Sequence, residues 1–192
     1  MTDQSKDRPP WFPLETERLR LREFRAGDLD DIHAYAKDPK VARFMDWGPN
    51  TFEESVHFLG LQIKGQAVWP RPDVSLALEL KSSGGVIGSI RLWVVDAERG
   101  TAEIGYSLGR PYWRKGFASE AAHAMLAAGF QTLNLHRITA TCDKRNRGSW
   151  GLMRKLGMRR EALLRQDRMI KGAWRDTYLY AILQDEWRAN NC

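Results

Sequence analysis

A stretch just past the middle of the chain combines cations, a glycine and small residues ahead of an apolar run. Its central residues are Arg114, Lys115, Gly116, Phe117, Ala118 and Ser119. Apolar residues then recur at helical spacing up to Phe130, which predicts a helix beginning near Gly116. The first turn of a helix has unpaired N–H groups, and small side chains let an anion approach them. The pattern indicates either a seat for a diphosphate or a junction where a helix packs tightly on a sheet.

A second candidate for chemistry is Glu103, in the segment "TAEIGYSL" at residues 101–108. Apolar residues alternate there with Glu103, Gly105 and Ser107, which predicts a strand. A carboxylate can bind an ammonium group or take its proton, and the neighbouring glycine is expected to leave room for a ligand. The alternative is a structural ion pair between Glu103 and an arginine such as Arg91 or Arg137.

The elements that position these residues follow from periodicity. One N-terminal helix is predicted with Asp28 as its cap, and a second with Thr51 and Glu54 as a capping box. A three-stranded meander leads to the helix at Gly116, and a strand, a short helix and a hairpin follow it. This order predicts a mixed α+β fold.

Length and composition predict a single domain over residues 14–192, preceded by a polar, proline-containing tail or arm over residues 1–13. The formal net charge of +6 is spread along the chain, as on a solvated surface, although it is compatible with acidic ligands. The two cysteines form no disulfide or metal pattern. Because signal, membrane-span and RNA-binding motifs are also absent, we expect a cytoplasmic protein without a metal, a membrane partner or a direct nucleic-acid partner.

Four segments resemble the GCN5-related N-acetyltransferase (GNAT) superfamily. The segment "WRKGFA" is similar to the acyl-CoA motif Gln/Arg-x-x-Gly-x-Gly/Ala, with Trp113 at its first position. The segment "NRGSWGLMRKLGM", from Asn146, is similar to Asn-x-x-Ser-x-x-Leu-x-x-Lys-Leu-Gly-Phe of the ribosomal-protein N-acetyltransferase branch. The opening "LETERLRLREF" and the closing "DTYLYAILQDEW" extend the resemblance over about residues 14–187. Together they favour that branch.

The resemblance implies a mostly antiparallel, twisted sheet flanked by helices, with a splay between two parallel strands that receives acyl-CoA. The helix after Gly116 would connect these strands. The resemblance further implies that backbone amides of residues 114–119 bind the diphosphate and that Asn146 contacts the pantetheine arm. The pantetheine would lie along the backbone near Leu108, whose amide could polarise the thioester carbonyl.

Acetyl transfer to an amine needs a base for the ammonium, a donor for the oxyanion and an acid for the departing thiolate. The candidate base is Glu103, acting directly or through water. The candidate acid is Ser149, by resemblance, because it follows Asn146 by three residues. Ser149 also begins a predicted helix, so simple capping is the alternative. Tyr106 could serve as the acid in another register, but alternation places it on the face opposite Glu103.

The predicted function is therefore acetyl-CoA-dependent N-acetylation by direct attack, with a protein N-terminal α-amine, as in the ribosomal-protein branch, as the favoured acceptor. A small amine (a polyamine, an amino acid or an aminoglycoside) is one alternative, and a non-catalytic acyl-CoA-binding module is another. Phe44, Trp47 and Trp69 either line the acceptor pocket or complete the core. Many relatives pair, so a homodimer is a possible assembly.

Overall fold

The computed structural model describes residues 13–68 and 71–191, in which one eight-stranded sheet is flanked by five α-helices. The strands are β1 (Leu14–Glu15), β2 (Leu19–Arg22), β3 (Asp73–Leu80), β4 (Val86–Asp96), β5 (Thr101–Leu108), β6 (Arg137–Asp143), β7 (Arg159–Ile170) and β8 (Ala173–Leu183). The helices are α1 (Leu29–Ala36), α2 (Phe52–Gly65), α3 (Phe117–Ala127), α4 (Arg147–Lys155) and α5 (Gln184–Asn191). The predicted α+β fold is confirmed. The predicted arm, apart from Pro13, and Trp69 lie outside the described residues, and the domain boundary at residue 14 stays a prediction.

The strand order is β1-β2-β3-β4-β5-β6-β8-β7, and its neighbours pair antiparallel except β5 and β6. This parallel pair is hydrogen-bonded only from Thr101 to Glu103, opposite Arg137 to Thr139. Strand β5 then continues to Leu108 without pairing to β6. The expected splay is therefore present, and it opens immediately after Glu103.

Two apolar clusters cover the two faces of the sheet. On one face, α3 buries Ala121, Ala122, Met125 and Leu126 completely, whereas Ala118 is only half-buried. On the other face, residues of α1 and α2 pack on β3 and β4 in a smaller cluster. The helices thus lie on both sides of the splay, where they supply side chains to each face of β5.

The N-terminal helices begin differently from each other. Thr51 caps α2 by accepting from the N–H of Glu54, whose carboxylate accepts in turn from the N–H of Thr51, so the predicted capping box is confirmed. The prediction that Asp28 caps α1 is wrong. Its carboxylate instead accepts from the N–H of Arg25 at 2.7 Å and pairs with Arg22, because a short 3-10 turn precedes α1.

A buried ionic cluster joins β2, β3 and this 3-10 turn. The Arg22 guanidinium donates two hydrogen bonds of 2.8 Å to Asp28 and a third to Glu79. The hydrogen bonds from Arg22 to Asp28 raise the pKa of the guanidinium further above its usual range. Because both carboxylates are buried too, removing the arginine would leave uncompensated charge in the core.

We expect Arg22→Met to lower the free energy of unfolding by about 3–5 kcal/mol, since a buried pair loses one partner. Chemical denaturation measures the change. The matched control is Arg20→Met, because Arg20 also contacts Glu79 but is 43% exposed. The control should lower the free energy of unfolding by at most about 1 kcal/mol. Equal losses in the two variants would contradict the burial argument.

Candidate active site

The predicted helix start after Gly116 is confirmed, and it presents a row of free amides. Gly116 has a φ of +86° and Arg114 a φ of +60°, so the chain turns sharply into α3. The first N–H bonded within this turn is that of Glu120, which donates to the Gly116 carbonyl at 3.0 Å. In the described ranges, no backbone N–H from residue 114 to 119 donates to a protein acceptor. These six amides and the exposed cations beside them form a cradle for an anion.

Arg18, which the sequence analysis did not single out, holds this cradle in place. Its guanidinium donates to Glu120 at 2.7 Å and to the Lys115 carbonyl at 2.9 Å, and it stacks on the Phe117 ring. Glu120 also accepts from the hydroxyl of Thr16 at 2.6 Å. Partial burial opposes ionisation of Glu120, but the hydrogen bonds from Thr16 and Arg18 lower the pKa of its carboxyl. The one sequence signal for Arg18 was its position in the segment "LETERLRLREF", which resembles the opening segment of the GNAT superfamily.

The end of β5 directs backbone groups into the splay. The Gly109 N–H donates to the Ile87 carbonyl at 2.8 Å, so by antiparallel alternation the Leu108 N–H and C=O point away from β4. The Leu108 carbonyl accepts from the Trp113 indole N–H at 2.7 Å. The Leu108 N–H therefore points into the splay, along which the resemblance would place the pantetheine.

A cavity of about 780 Å³ runs through the splay and reaches both faces of β5. Glu103 lines it from one face, and Tyr106 and Ser149 line it from the other. Phe44 and Trp47 also line it. The charged side chains lining it within the described residues are Asp46, Glu54, Asp73, Glu103, Asp143, Arg91 and Arg168. Carboxylates thus outnumber arginines in this cavity, although the chain as a whole carries a positive net charge.

Glu103 is oriented by a neighbour on β6. The Thr141 hydroxyl donates to Glu103 at 2.7 Å and accepts from the Arg168 guanidinium at 3.1 Å. The space expected beside Gly105 is not empty, because a Cβ there would lie 3.4 Å from the Trp93 ring. The glycine therefore accommodates this ring, which is itself part of the cavity wall.

The alternative in which Glu103 forms an ion pair with Arg91 or Arg137 is wrong. Arg91 donates to Asp73 at 2.7 and 2.5 Å. Arg137 pairs with Glu161 on β7. Since both arginines bind other carboxylates, Glu103 keeps its hydrogen bond from a neutral hydroxyl and faces the cavity.

Ser149 is the third residue of α4, and the capping interpretation is wrong for it. The cap is Asn146, whose side-chain oxygen accepts from the Ser149 N–H at 3.2 Å. The Ser149 hydroxyl lies 3.1 Å from the Tyr106 hydroxyl. Burial raises the pKa of Tyr106 above its usual value, so this phenol retains its proton at neutral pH. The two hydroxyls form a pair on the face of β5 opposite Glu103.

These features fit an acyl-CoA. The amides of residues 114–119 can hold a diphosphate, and the splay exposes strand backbone for an extended amide chain. Gly116 adopts the positive φ that turns the chain into α3, and a Cβ there would lie 3.1 Å from the Arg18 guanidinium that holds the cradle. A site of this construction, at a splay between parallel strands, is that of an acyl-CoA-dependent acyltransferase.

Comparison with known proteins leads to the same class of enzyme. The model of the acetyltransferase (GNAT) domain family matches residues 18–159, and this chain belongs to that family of N-acetyltransferases. It is 37% identical to the uncharacterized N-acetyltransferase YnaD of Bacillus subtilis over 91% of this chain and 98% of the relative. A solved GNAT-family acetyltransferase from Bacillus anthracis superposes with a TM-score of 0.81 at 33% identity, covering 89% of this chain and 98% of the other.

Two relatives carry names that state an acceptor. The [ribosomal protein uS5]-alanine N-acetyltransferase of Escherichia coli is 33% identical over 44% of this chain and 43% of its own length. The spermidine N(1)-acetyltransferase of Escherichia coli is 25% identical over 90% of each chain. The resemblance to the GNAT superfamily is thus confirmed, and the homologues include a ribosomal-protein N-acetyltransferase, while the two names differ in the acceptor.

Two further observations describe the surroundings of the site. In residues 13–68 and 71–191, no helix is long and apolar enough to cross a membrane. The same residues bring together no group of three His, Cys, Asp or Glu side chains that could hold a metal ion. Cys142 lines the cavity as a free thiol, and burial raises its pKa to about 11, so it stays protonated at neutral pH.

Proposed function

We propose that this protein transfers the acetyl group of acetyl-CoA to a primary amine, with a protein N-terminal α-amine as the favoured acceptor. The observation that carries the proposal is the cavity through the splay. It has a carboxylate on one side, a pair of hydroxyls on the other, and a strand end leading to the row of free amides. We expect the protein to act in the cytoplasm, and a homodimer remains a possible assembly.

The proposed catalytic residues lie on opposite faces of β5, and each face serves a different proton transfer of the reaction. Acetyl-CoA supplies a thioester, which an amine can attack only in its neutral form. Glu103 accepts the proton of the ammonium, directly or through water, and the Leu108 N–H donates to the oxyanion that develops. On the other face, the Ser149 hydroxyl, hydrogen-bonded to Tyr106, donates towards the departing sulfur. Asn146 caps α4 and so positions Ser149, besides its proposed contact with the pantetheine arm.

The charges of the cavity support a cationic acceptor. Carboxylates in a concave, partly desolvated site attract an ammonium ion and raise its local concentration. Arg168 lines the same cavity and, besides its hydrogen bond to Thr141, can donate to a carbonyl of a peptide acceptor, whereas Arg91 is held by Asp73. A polyamine has no carbonyl that could accept from Arg168, which is why we favour a protein N-terminus.

The excess of carboxylates nevertheless favours a polyamine as the second candidate acceptor. Thiol release with acetyl-CoA, measured against a panel of N-terminal peptides and a panel of polyamines, separates the two. Faster turnover of the peptides is expected. Faster turnover of the polyamines would overturn the favoured acceptor and leave acetyl transfer to amines standing. CoA binding by calorimetry with no turnover on either panel would instead support the non-catalytic binding module.

Thr141→Val is expected to lower kcat about tenfold or more, because a hydrogen bond to a charged group that orients Glu103 is lost. The Kd for CoA should not change. The matched control is Thr139→Val, since the Thr139 hydroxyl donates to the Ala102 carbonyl rather than to Glu103. Thr141→Ser should restore kcat. Equal kcat values in Thr141→Val and wild-type protein would show that Glu103 needs no orienting hydroxyl.

A further inference from the structure

Trp113 stands where the acyl-CoA motif has Gln or Arg, and its side chain makes one specific polar contact. The indole N–H donates to the Leu108 carbonyl at 2.7 Å. The residue is 41% exposed, so its ring contributes less to packing than a buried tryptophan would. The hydrogen bond therefore distinguishes this side chain better than its apolar surface does.

The Leu108 carbonyl needs a donor that the sheet does not supply. By alternation it points away from β4, and pairing between β5 and β6 has ended five residues earlier, at Glu103. Leu108 is also mostly buried, at 8% exposure. A buried carbonyl without a donor is costly, and a mobile strand end would misplace the Leu108 N–H as well.

Covalent geometry relates Trp113 to the two residues usual in the motif. In tryptophan, the indole nitrogen Nε1 is four bonds from Cα. The side-chain amide nitrogen of glutamine and the Nε of arginine are also four bonds from Cα. All three residues can therefore present an N–H donor at a similar distance from the backbone, although they differ in charge, shape and hydrophobicity.

We propose that Trp113 is a positioning residue whose indole N–H replaces the donor of Gln or Arg and holds the end of β5 to the diphosphate cradle. Trp113 immediately precedes the cradle, and its own N–H donates to the Arg110 carbonyl at 3.2 Å, which braces the connecting turn. The hydrogen bond to Leu108 thus sets the spacing between the cradle amides and the Leu108 N–H. The proposal rests on acyl-CoA binding as part of the proposed function.

The test compares variants that keep the donor with one that keeps the ring. Trp113→Gln and Trp113→Arg retain an N–H four bonds from Cα, whereas Trp113→Phe retains an aromatic ring without a donor. We expect Trp113→Phe to lower kcat/KM for acetyl-CoA about tenfold, as for loss of one hydrogen bond of about 1.4 kcal/mol. Trp113→Gln and Trp113→Arg should stay within about threefold of wild type, a difference of about 0.65 kcal/mol.

The ranking of the three variants by kcat/KM for acetyl-CoA tests the proposal. If the Trp113 ring contributes only packing, Trp113→Phe will have a higher kcat/KM for acetyl-CoA than Trp113→Gln, and that order would overturn the inference. Thermal unfolding verifies that the three variants are folded at the assay temperature, and CoA binding by calorimetry is measured in parallel. A wild-type protein that binds no CoA would overturn the proposed function together with the inference. Normal wild-type binding with the wrong variant order would overturn the inference alone.

Discussion

Glu103→Gln is expected to lower kcat by about 10²–10⁴-fold, the usual contribution of a positioned general base. The amide has nearly the same shape as the carboxylate, and its oxygen can still accept from Thr141, so the cavity wall should be preserved. What is lost is the ability to take a proton from the ammonium group of the acceptor. Steady-state thiol release with a saturating acceptor measures the effect.

The control for Glu103 is a glutamate that binds an arginine outside the cavity. Glu161 lies on β7 and is the ion-pair partner of Arg137, so Glu161→Gln removes this pair and should leave kcat unchanged. The Kd for CoA should be the same in wild type and both variants, since neither glutamate contacts the diphosphate cradle. A Glu103→Gln variant that turns over at the wild-type rate would remove this residue as the base.

Gly116→Val is expected to abolish measurable CoA binding while the chain remains folded. A β-branched residue is strained at a φ of +86°, by about 1–3 kcal/mol, and its Cβ would lie 3.1 Å from the Arg18 guanidinium. Either response, a change of φ or a shift of Arg18, would redirect the amides of residues 114–119. Calorimetric titration with CoA measures the binding, and thermal unfolding verifies the fold.

Gly84→Val is the control that shows whether backbone strain alone, without damage to the cradle, abolishes CoA binding. Gly84 lies in the turn between β3 and β4 with a φ of +74°, and within the described residues a Cβ added there would meet no atom within 4 Å beyond its own residue and its two chain neighbours. The two variants should lose similar stability, but only Gly116→Val should lose CoA binding. If Gly116→Val unfolds the protein while Gly84→Val does not, the glycine serves helix packing, which was the alternative in the sequence analysis.

Much of the fold was predictable because its signals are local. The capping box at Thr51 and the alternation of β5 each involve residues a few positions apart, so the sequence carries them directly. The wrong cap at Asp28 shows the limit of this approach. Its carboxylate had a local role available, but Arg22 on the neighbouring strand and a preceding 3-10 turn determined where it points.

The partners of the site residues were not predictable, because they are distant in the chain. Glu103 and Thr141 are 38 residues apart, and Arg18 and Glu120 are 102 residues apart. Nothing in the spacing of these side chains indicates which hydroxyl or carboxylate each one meets. The same holds for Ser149, whose contact with Tyr106 depends on how α4 packs across β5.

The sequence alone therefore determined the helices α1 to α4, the strands β3 to β8, the glycine turn into α3 and, through motif resemblance, the family, whereas it gave no signal for α5 or β1. These properties depend on periodicity and on backbone preferences within a few residues. Only the tertiary structure decided which face of β5 each candidate occupies, that the arginines near Glu103 bind elsewhere, and that Trp113 reaches the Leu108 carbonyl. Such contacts depend on strand register and helix packing, which many distant residues set together.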